Sequence, residues 1–395
     1  MSPDGAVARR DKRAAQATVA AWAPQLTELS HRIHAHPELG FAEVQAAAWC
    51  TEALRAGGFD VRLGVGGLAT AFQATVGSGP LEIGICCEYD ALPEIGHACG
   101  HNIIAAAGVG AGLALAPLAD ALGCTIHVLG TPAEEGGGGK ILLLEAGVFD
   151  GLGACLMVHP APAELVQMPC LAIGHFDVRF VGKEAHASAF PELGINAADA
   201  LTISQVAVGL LRQHAKPGDQ VHGIVTNGGA APNIVPGLAE AKYYVRSATL
   251  AGLTEWEARV RRCFEAGALA SGCSVEFITR CPPYSEFQAD EAIGAVYRAN
   301  AESLGRVFSP PSERVLTAST DMANVSLAIP AIHPTLDIDS APAVNHQPEF
   351  AAHCVTPAAD RAVLDGATAM AWTVIDLARD ENARQRLLRA ALPRS

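Results

Sequence analysis

Four short β-like runs in the first half of the chain, at 68–76, 83–87, 125–129 and 155–158, each end on polar residues and alternate with helical patterns at 43–56 and 104–122. Strands that alternate with helices bury both faces of a sheet only when the helices cross over it. The pattern therefore predicts an α/β layer with a mostly parallel sheet. In such sheets ligands sit beyond the carboxyl ends of the strands. The residues found there are Glu88 and Asp90 after the second run, Glu134 and Glu135 after the third, and His159 after the fourth.

From about Leu171 the pattern changes. Residues 175–181 and 238–245 alternate with period two, 221–226 and 274–278 are further β-like runs, and helical stretches fall at 196–213 and 254–270. That content suffices for a separate α+β module with one solvated and one helix-covered sheet face. After Cys281-Pro282-Pro283 the first texture returns, with helices near 290–304 and 356–380. The expected architecture is an α/β domain, its mostly parallel mixed sheet flanked by helices, in two parts at 1–170 and 282–395. An inserted α+β domain at 171–281 interrupts it.

Charge and cysteine usage narrow the setting. With 27 basic and 41 acidic side chains the formal charge is −14, so a polyanion meets a repulsive field and neither nucleic acid nor a membrane surface is an expected partner. The 11 cysteines are odd in number and scattered from Cys50 to Cys354, which fits reduced thiols rather than a disulfide framework. Residues 1–16 hold charges and lack the apolar run of roughly 7 to 15 residues that a secretory signal needs. The expected location is cytoplasmic. The apolar stretch from Ile103 stops at Pro117 and Asp120, short of the roughly 18 to 20 residues of a membrane span, and its Ala and Gly suit a helix packed closely on a sheet.

The densest chemical string is Glu88-Tyr89-Asp90-Ala91-Leu92-Pro93 followed by His97-Ala98-Cys99-Gly100-His101-Asn102. Cys99 and His101, two apart in a glycine-containing loop, can point at one site, and thiolate plus imidazole suits zinc. A tight loop with an incidental thiol would carry the same string. Adjacent carboxylates such as Glu134-Glu135 usually mark a solvated loop. The glycines at 136–139, however, allow close backbone approach to a ligand, so one carboxylate could bind metal while its neighbour acts on water. Lys140 after those glycines makes no phosphate loop, because Glu134 and Ile141 stand where its first glycine and its Ser/Thr belong.

His159 before Pro160 and His346 in a polar loop could each be a hydrogen-bonded loop histidine. With Cys99, His101 and Glu135 they make five candidate ligands, about what two neighbouring divalent ions need when waters fill the remaining positions. The inserted module holds Gly182-Lys183-Glu184-Ala185-His186-Ala187-Ser188, then Asn233-Ile234-Val235-Pro236, then Arg246 on an alternating strand. Arg246 could be a solvated charge and His186 a turn residue. The alternative makes Arg246 and Asn233 a clamp for a carboxylate and His186 a donor to a developing oxyanion.

These strings together resemble the M20 family of metal-dependent amidohydrolases and peptidases, in the subgroup that has Cys where other members have a bridging Asp. The resemblance spans nearly the whole chain, from His36-Pro37-Glu38-Leu39-Gly40-Phe41 to His346. EYDALP, GHACGHN and Ser319-Thr320-Asp321-Met322 are most similar to the branch of M20 domain-containing protein 2 and p-aminobenzoyl-glutamate hydrolases. Glu88, Asn102 and Thr320 depart from the commoner Asp, Asp and Glu, in agreement with that branch.

The resemblance implies two divalent ions per subunit, Zn²⁺ first and Mn²⁺ or Co²⁺ as options, held by Cys99, His101, Glu135, His159 and His346 with Cys99 bridging. It implies Glu134 as general base, Asp90 orienting a ligand, and Asn233 and Arg246 holding a substrate carboxylate. It also makes the inserted domain a lid and dimerisation domain, with His186 serving a partner's site in a homodimer. The expected reaction is cleavage of the amide of an N-acyl amino acid or unusual dipeptide with a free carboxylate, of p-aminobenzoyl-glutamate or β-alanyl type. A deacetylase or carbamoyl hydrolase on the same metal site, or a catalytically silent metal-binding dimer, are the alternatives.

Overall fold

The computed structural model describes residues 3–310 and 318–391. The chain divides into two compact units, one of Met1–Pro169, Phe287–Leu316 and Asp321–Ser395, the other of Cys170–Glu286 and Thr317–Thr320.

In the first unit the strands Asp60–Leu63, Phe72–Val76, Cys124–Gly130, Leu81–Cys87, Ala154–Leu156 and Ala331–Ile332 form a six-stranded sheet in that spatial order. The last four run parallel and the first two are antiparallel additions, so the sheet is mixed but mostly parallel, as its strand-helix alternation predicts. The Asp60–Leu63 strand lies outside the expected runs. It is a largely exposed edge, and its mixed residues carry no inward stripe to announce it.

Two helices explain the depth of this core. Pro3–Ala35 buries Ala15, Val19, Leu26, Leu29 and Ile33, spaced three, four or seven apart along one face. His101–Leu115 is buried along its whole length, and it packs against Pro3–Ala35, Pro357–Arg379 and the Leu81–Cys87 strand. A Cβ on its Gly108 would stand 2.9 Å from the Cys86 carbonyl oxygen, so only glycine permits this helix-strand approach. Residues 101–122 are long and apolar enough to cross a membrane by length and composition, yet 83% of the 18-residue apolar window within them is buried inside the protein. Cys86 Sγ points to Cys155 Sγ at 3.4 Å while Cys87 Sγ points to the Ala105 carbonyl, on opposite sides of the strand.

In the second unit Ser274–Thr279, Ala172–Val181, Leu238–Ser247 and Gln220–Asn227 form an antiparallel sheet in that order. Phe176, Val178, Phe180, Ala239, Ala241, Tyr243 and Val245 pack against Leu201, Trp256, Val260 and Phe264 of the helices Ala197–Leu211 and Leu250–Ser271. Period-two alternation then places Tyr244 and Arg246 on the other face.

Candidate active site

Every strand end singled out by the sequence pattern contributes to one place in the first unit. The Leu81–Cys87 strand delivers Glu88 and Asp90, and the following loop turns at Gly100, whose φ of 77° is left-handed. A Cβ there would also meet the Pro160 ring at 2.4 Å, so glycine is needed twice over. His101 is thereby set as the first residue of the buried helix. The Cys124–Gly130 strand leads to Ala133, whose backbone N–H donates to Glu43 Oε1 at 2.8 Å, and then to Glu134 and Glu135. His159 opens the short His159–Ala161 strand, and the backbone N–H of His346 donates to the Ala98 carbonyl at 2.8 Å. That last bond ties the late loop to the Cys99 loop across most of the chain.

The side chains converge as two groups that share one atom. Ligand atoms of Cys99, His101 and His159 all lie within 4.8 Å of one another, and so do those of Cys99, Glu135 and His346. Cys99 Sγ stands 3.5 Å from His159 Nε2, and His346 Nε2 stands 3.3 Å from Glu135 Oε1. Asp90 ties the groups together. Its Oδ1 is 2.9 Å from His101 Nδ1, and its Oδ2 accepts from the Glu135 backbone N–H at 2.9 Å. With Nδ1 donating to Asp90, His101 Nε2 faces the Glu88 and Glu134 carboxylates, and a cation bound there would take the lone pair of the neutral ring. Glu134 is buried, and its Oε2 is 3.9 Å from that Nε2.

The electrostatics describe a site short of positive charge. Burial, and then the Glu88 and Glu135 carboxylates, push Glu134 well above the usual carboxyl range. Burial and Glu135 likewise push the Cys99 thiol up. Burial and neighbouring His101 hold His159 down to about 4, which keeps it a neutral donor. Burial alone would raise Asp90, but His101 pulls it below its ordinary value. Divalent cations fit this arrangement: the donors are thiol, imidazole and carboxylate, and His101 Nε2 is buried without a hydrogen-bond partner. A bound cation would reverse the upward shifts of Cys99 and Glu134.

Two charged residues here escape the sequence pattern, which presents Lys140 only as a failed phosphate-loop lysine and Asp321 only as part of the late motif. Both are fully buried, with Lys140 Nζ donating to Glu88 Oε1 and, at 2.7 Å, to Asp321 Oδ1. The available signal is a lysine heading the apolar string Ile141-Leu142-Leu143-Leu144. Burying an ammonium costs several kcal/mol, so such a lysine requires anionic partners.

His186, Asn233 and Arg246 belong to the second unit. His186 is bridged to Ile234, and the Ala187 N–H donates to the Asn233 carbonyl at 3.0 Å, which brings the two motifs together. His186 Nδ1 accepts from the backbone N–H groups of Ser188 and Ala189 at 3.2 and 3.1 Å. The ring proton therefore sits on Nε2, free to donate. Arg246 Nη1 donates to Ser319 Oγ at 2.8 Å, which steadies the guanidinium.

The chain is similar to known proteins over much of its length. The model of peptidase family M20/M25/M40 matches residues 87–368. Xaa-Arg dipeptidase of Mus musculus is 37% identical over 370 residues, covering 90% of this chain and 83% of that protein. One polypeptide of the p-aminobenzoyl-glutamate hydrolase of Escherichia coli is 34% identical over 281 residues, covering 65% of this chain and 58% of that one. Among solved structures, a putative aminohydrolase from methicillin-resistant Staphylococcus aureus superposes with a TM-score of 0.75 at 20% identity, covering 92% of this chain and 99% of that one.

Proposed function

The chain belongs to peptidase family M20/M25/M40 and is a hydrolase of amide bonds, and from that premise we propose that it is a two-cation dipeptidase acting on small substrates with a free carboxylate. The observation that carries the proposal is the pair of donor groups sharing Cys99, with Glu134 beside them. The mouse relative favours dipeptides that end in arginine; the bacterial relative makes p-aminobenzoyl-glutamate the second candidate.

Cys99, His101 and His159 would hold one cation and Cys99, Glu135 and His346 the other. Thiolate and imidazole favour Zn²⁺, with Mn²⁺ or Co²⁺ as options. Bound there, the cations supply Lewis acidity that polarises the scissile carbonyl and makes water more acidic. Glu134 accepts the proton of the attacking water and delivers it to the leaving nitrogen. His186 donates from Nε2 to the oxyanion, and Arg246 with Asn233 holds the substrate carboxylate. Asp90 keeps the His101 ring in its binding orientation.

The active form proposed is a homodimer in which His186 serves the partner's site. Support comes from the second unit, where Ile203, Val206 and Leu210 form an exposed apolar stripe at helical spacing, 38%, 60% and 71% exposed. Gln220–Asn227 is an edge strand exposing Ile224 and Val225 beside a free backbone edge. Val206→Glu/Leu210→Glu should convert a dimer to monomer by light scattering and remove most turnover. A wild-type monomer of full activity would defeat the dimer. Eleven free cysteines support a reducing, cytoplasmic setting.

The decisive assay offers metal-loaded protein dipeptides ending in Arg or Lys, β-alanyl dipeptides, p-aminobenzoyl-glutamate, N-acetyl amino acids and N-carbamoyl amino acids. The highest kcat/KM is expected for dipeptides with a basic second residue. Faster cleavage of the acetyl or carbamoyl compounds would replace the dipeptidase with a deacetylase or carbamoyl hydrolase.

A further inference from the structure

Besides the two groups that share Cys99, a third cluster could hold a cation. Ligand atoms of Glu88, His101 and Glu134 all lie within 4.8 Å of one another, and all three residues are buried. Glu88 Oε2 is fully buried without a hydrogen-bond partner and stands 3.5 Å from the equally unpartnered His101 Nε2. An ion bound here through the Glu88 and Glu134 carboxylates would engage the group that must accept a proton, beside the His101 that also belongs to the first triad.

Lys140 stands at the back of this cluster. Its Nζ donates to the other Glu88 oxygen and to Asp321 Oδ1 at 2.7 Å, while its backbone N–H donates to Asp321 Oδ2 at 2.8 Å. Main chain and side chain are therefore held by the same aspartate, and the ammonium is fully buried. Burial alone would lower its pKa, but Asp321 and Glu88 raise it well above the ordinary lysine value. Seated between two carboxylates, the ammonium neutralises Glu88 from behind, and a second cation drawn to that same carboxylate would meet its charge with little water to screen it.

We propose that Lys140 is a positioning residue, a built-in ammonium that engages Glu88 and keeps metal out of the Glu88, His101 and Glu134 cluster, so that no ion ties up Glu134 as it acts as base. The proposal rests on the two-cation reading. Lys140 touches neither triad directly and acts through Glu88. The cluster has carboxylate and imidazole donors only, so an ion admitted there differs chemically from one held through Cys99.

The test compares metal content and cobalt spectra of wild type, Lys140→Met, Lys140→Arg and Lys140→Met/Asp321→Asn after equilibration with excess ion and desalting. The double variant removes one charge of each sign, so it keeps the buried charge sum if Lys140→Met alone does not fold. The neutral variants should carry one ion more per chain than wild type. In the Co²⁺ form they should gain ligand-field absorption without added thiolate-to-cobalt charge transfer. Their kcat should fall by roughly 10²-fold or more, as expected when a general base is engaged, with KM little changed. Lys140→Arg should restore the wild-type metal count. An unchanged metal content in both neutral variants overturns the proposal, whatever the wild-type count. A wild type with fewer than two ions and no gain on adding metal overturns the two-cation reading instead, and the difference between variant and wild type still decides the role of Lys140.

Discussion

Glu134→Gln is expected to lose turnover by roughly 10² to 10⁴-fold while keeping its fold and its metal, the range by which a positioned general base contributes. Glutamine keeps the shape of the side chain and removes only its ability to take a proton. Glu134 lies in neither triad that shares Cys99, so metal content should be unchanged. Burial and the Glu88 and Glu135 carboxylates push this carboxyl above its usual range, and bound cations would offset that push and leave it able to accept a proton. Steady-state kinetics with elemental analysis on one preparation checks both halves. Residual turnover within about tenfold of wild type would remove Glu134 from the mechanism.

Cys99→Ala should have the other large effect, and on a different quantity. Cys99 is the one donor common to both triads, so its loss weakens both metal positions at once. Replacing a residue that merely orients a ligand commonly costs 10 to 100-fold in metal affinity, so losing a shared ligand should exceed about 100-fold. His346→Ala, by contrast, touches a single triad, and should empty one position and spare the other. Competition with a chromophoric chelator separates the cases. If Cys99→Ala retains both ions at wild-type affinity, the shared-ligand arrangement is wrong, and with it the division into two triads.

Much of this site is legible because its residues lie at the ends of strongly patterned segments. Glu88 and Asp90, Glu134 and Glu135, and His159 all follow apolar runs whose length and boundaries mark strands. Parallel sheets place such ends along one edge. His346 is different. Donor chemistry, not strand pattern, points to it, since its loop has no periodicity and reaches the site through a backbone bond to Ala98. Lys140 and Asp321 are illegible for a related reason. They are 181 residues apart, and a charge is read as solvent-exposed until the fold supplies a buried partner. The Asp60–Leu63 edge strand escapes notice because an exposed edge needs no inward stripe.

The sequence by itself determined the α/β texture, the insertion of a second sheet with its own period, and the residue types able to bind cations, because burial periodicity and donor chemistry are local properties of the chain. Resemblance offered Cys99 as the shared donor, and the tertiary structure places it in both groups; only that structure decided that Asp90 reaches both His101 and the Glu135 backbone, and that Lys140 lies between two carboxylates. Those are distances between residues remote in the chain. They arise when the helix beginning at His101 packs against its strand closely enough to bring four loops together.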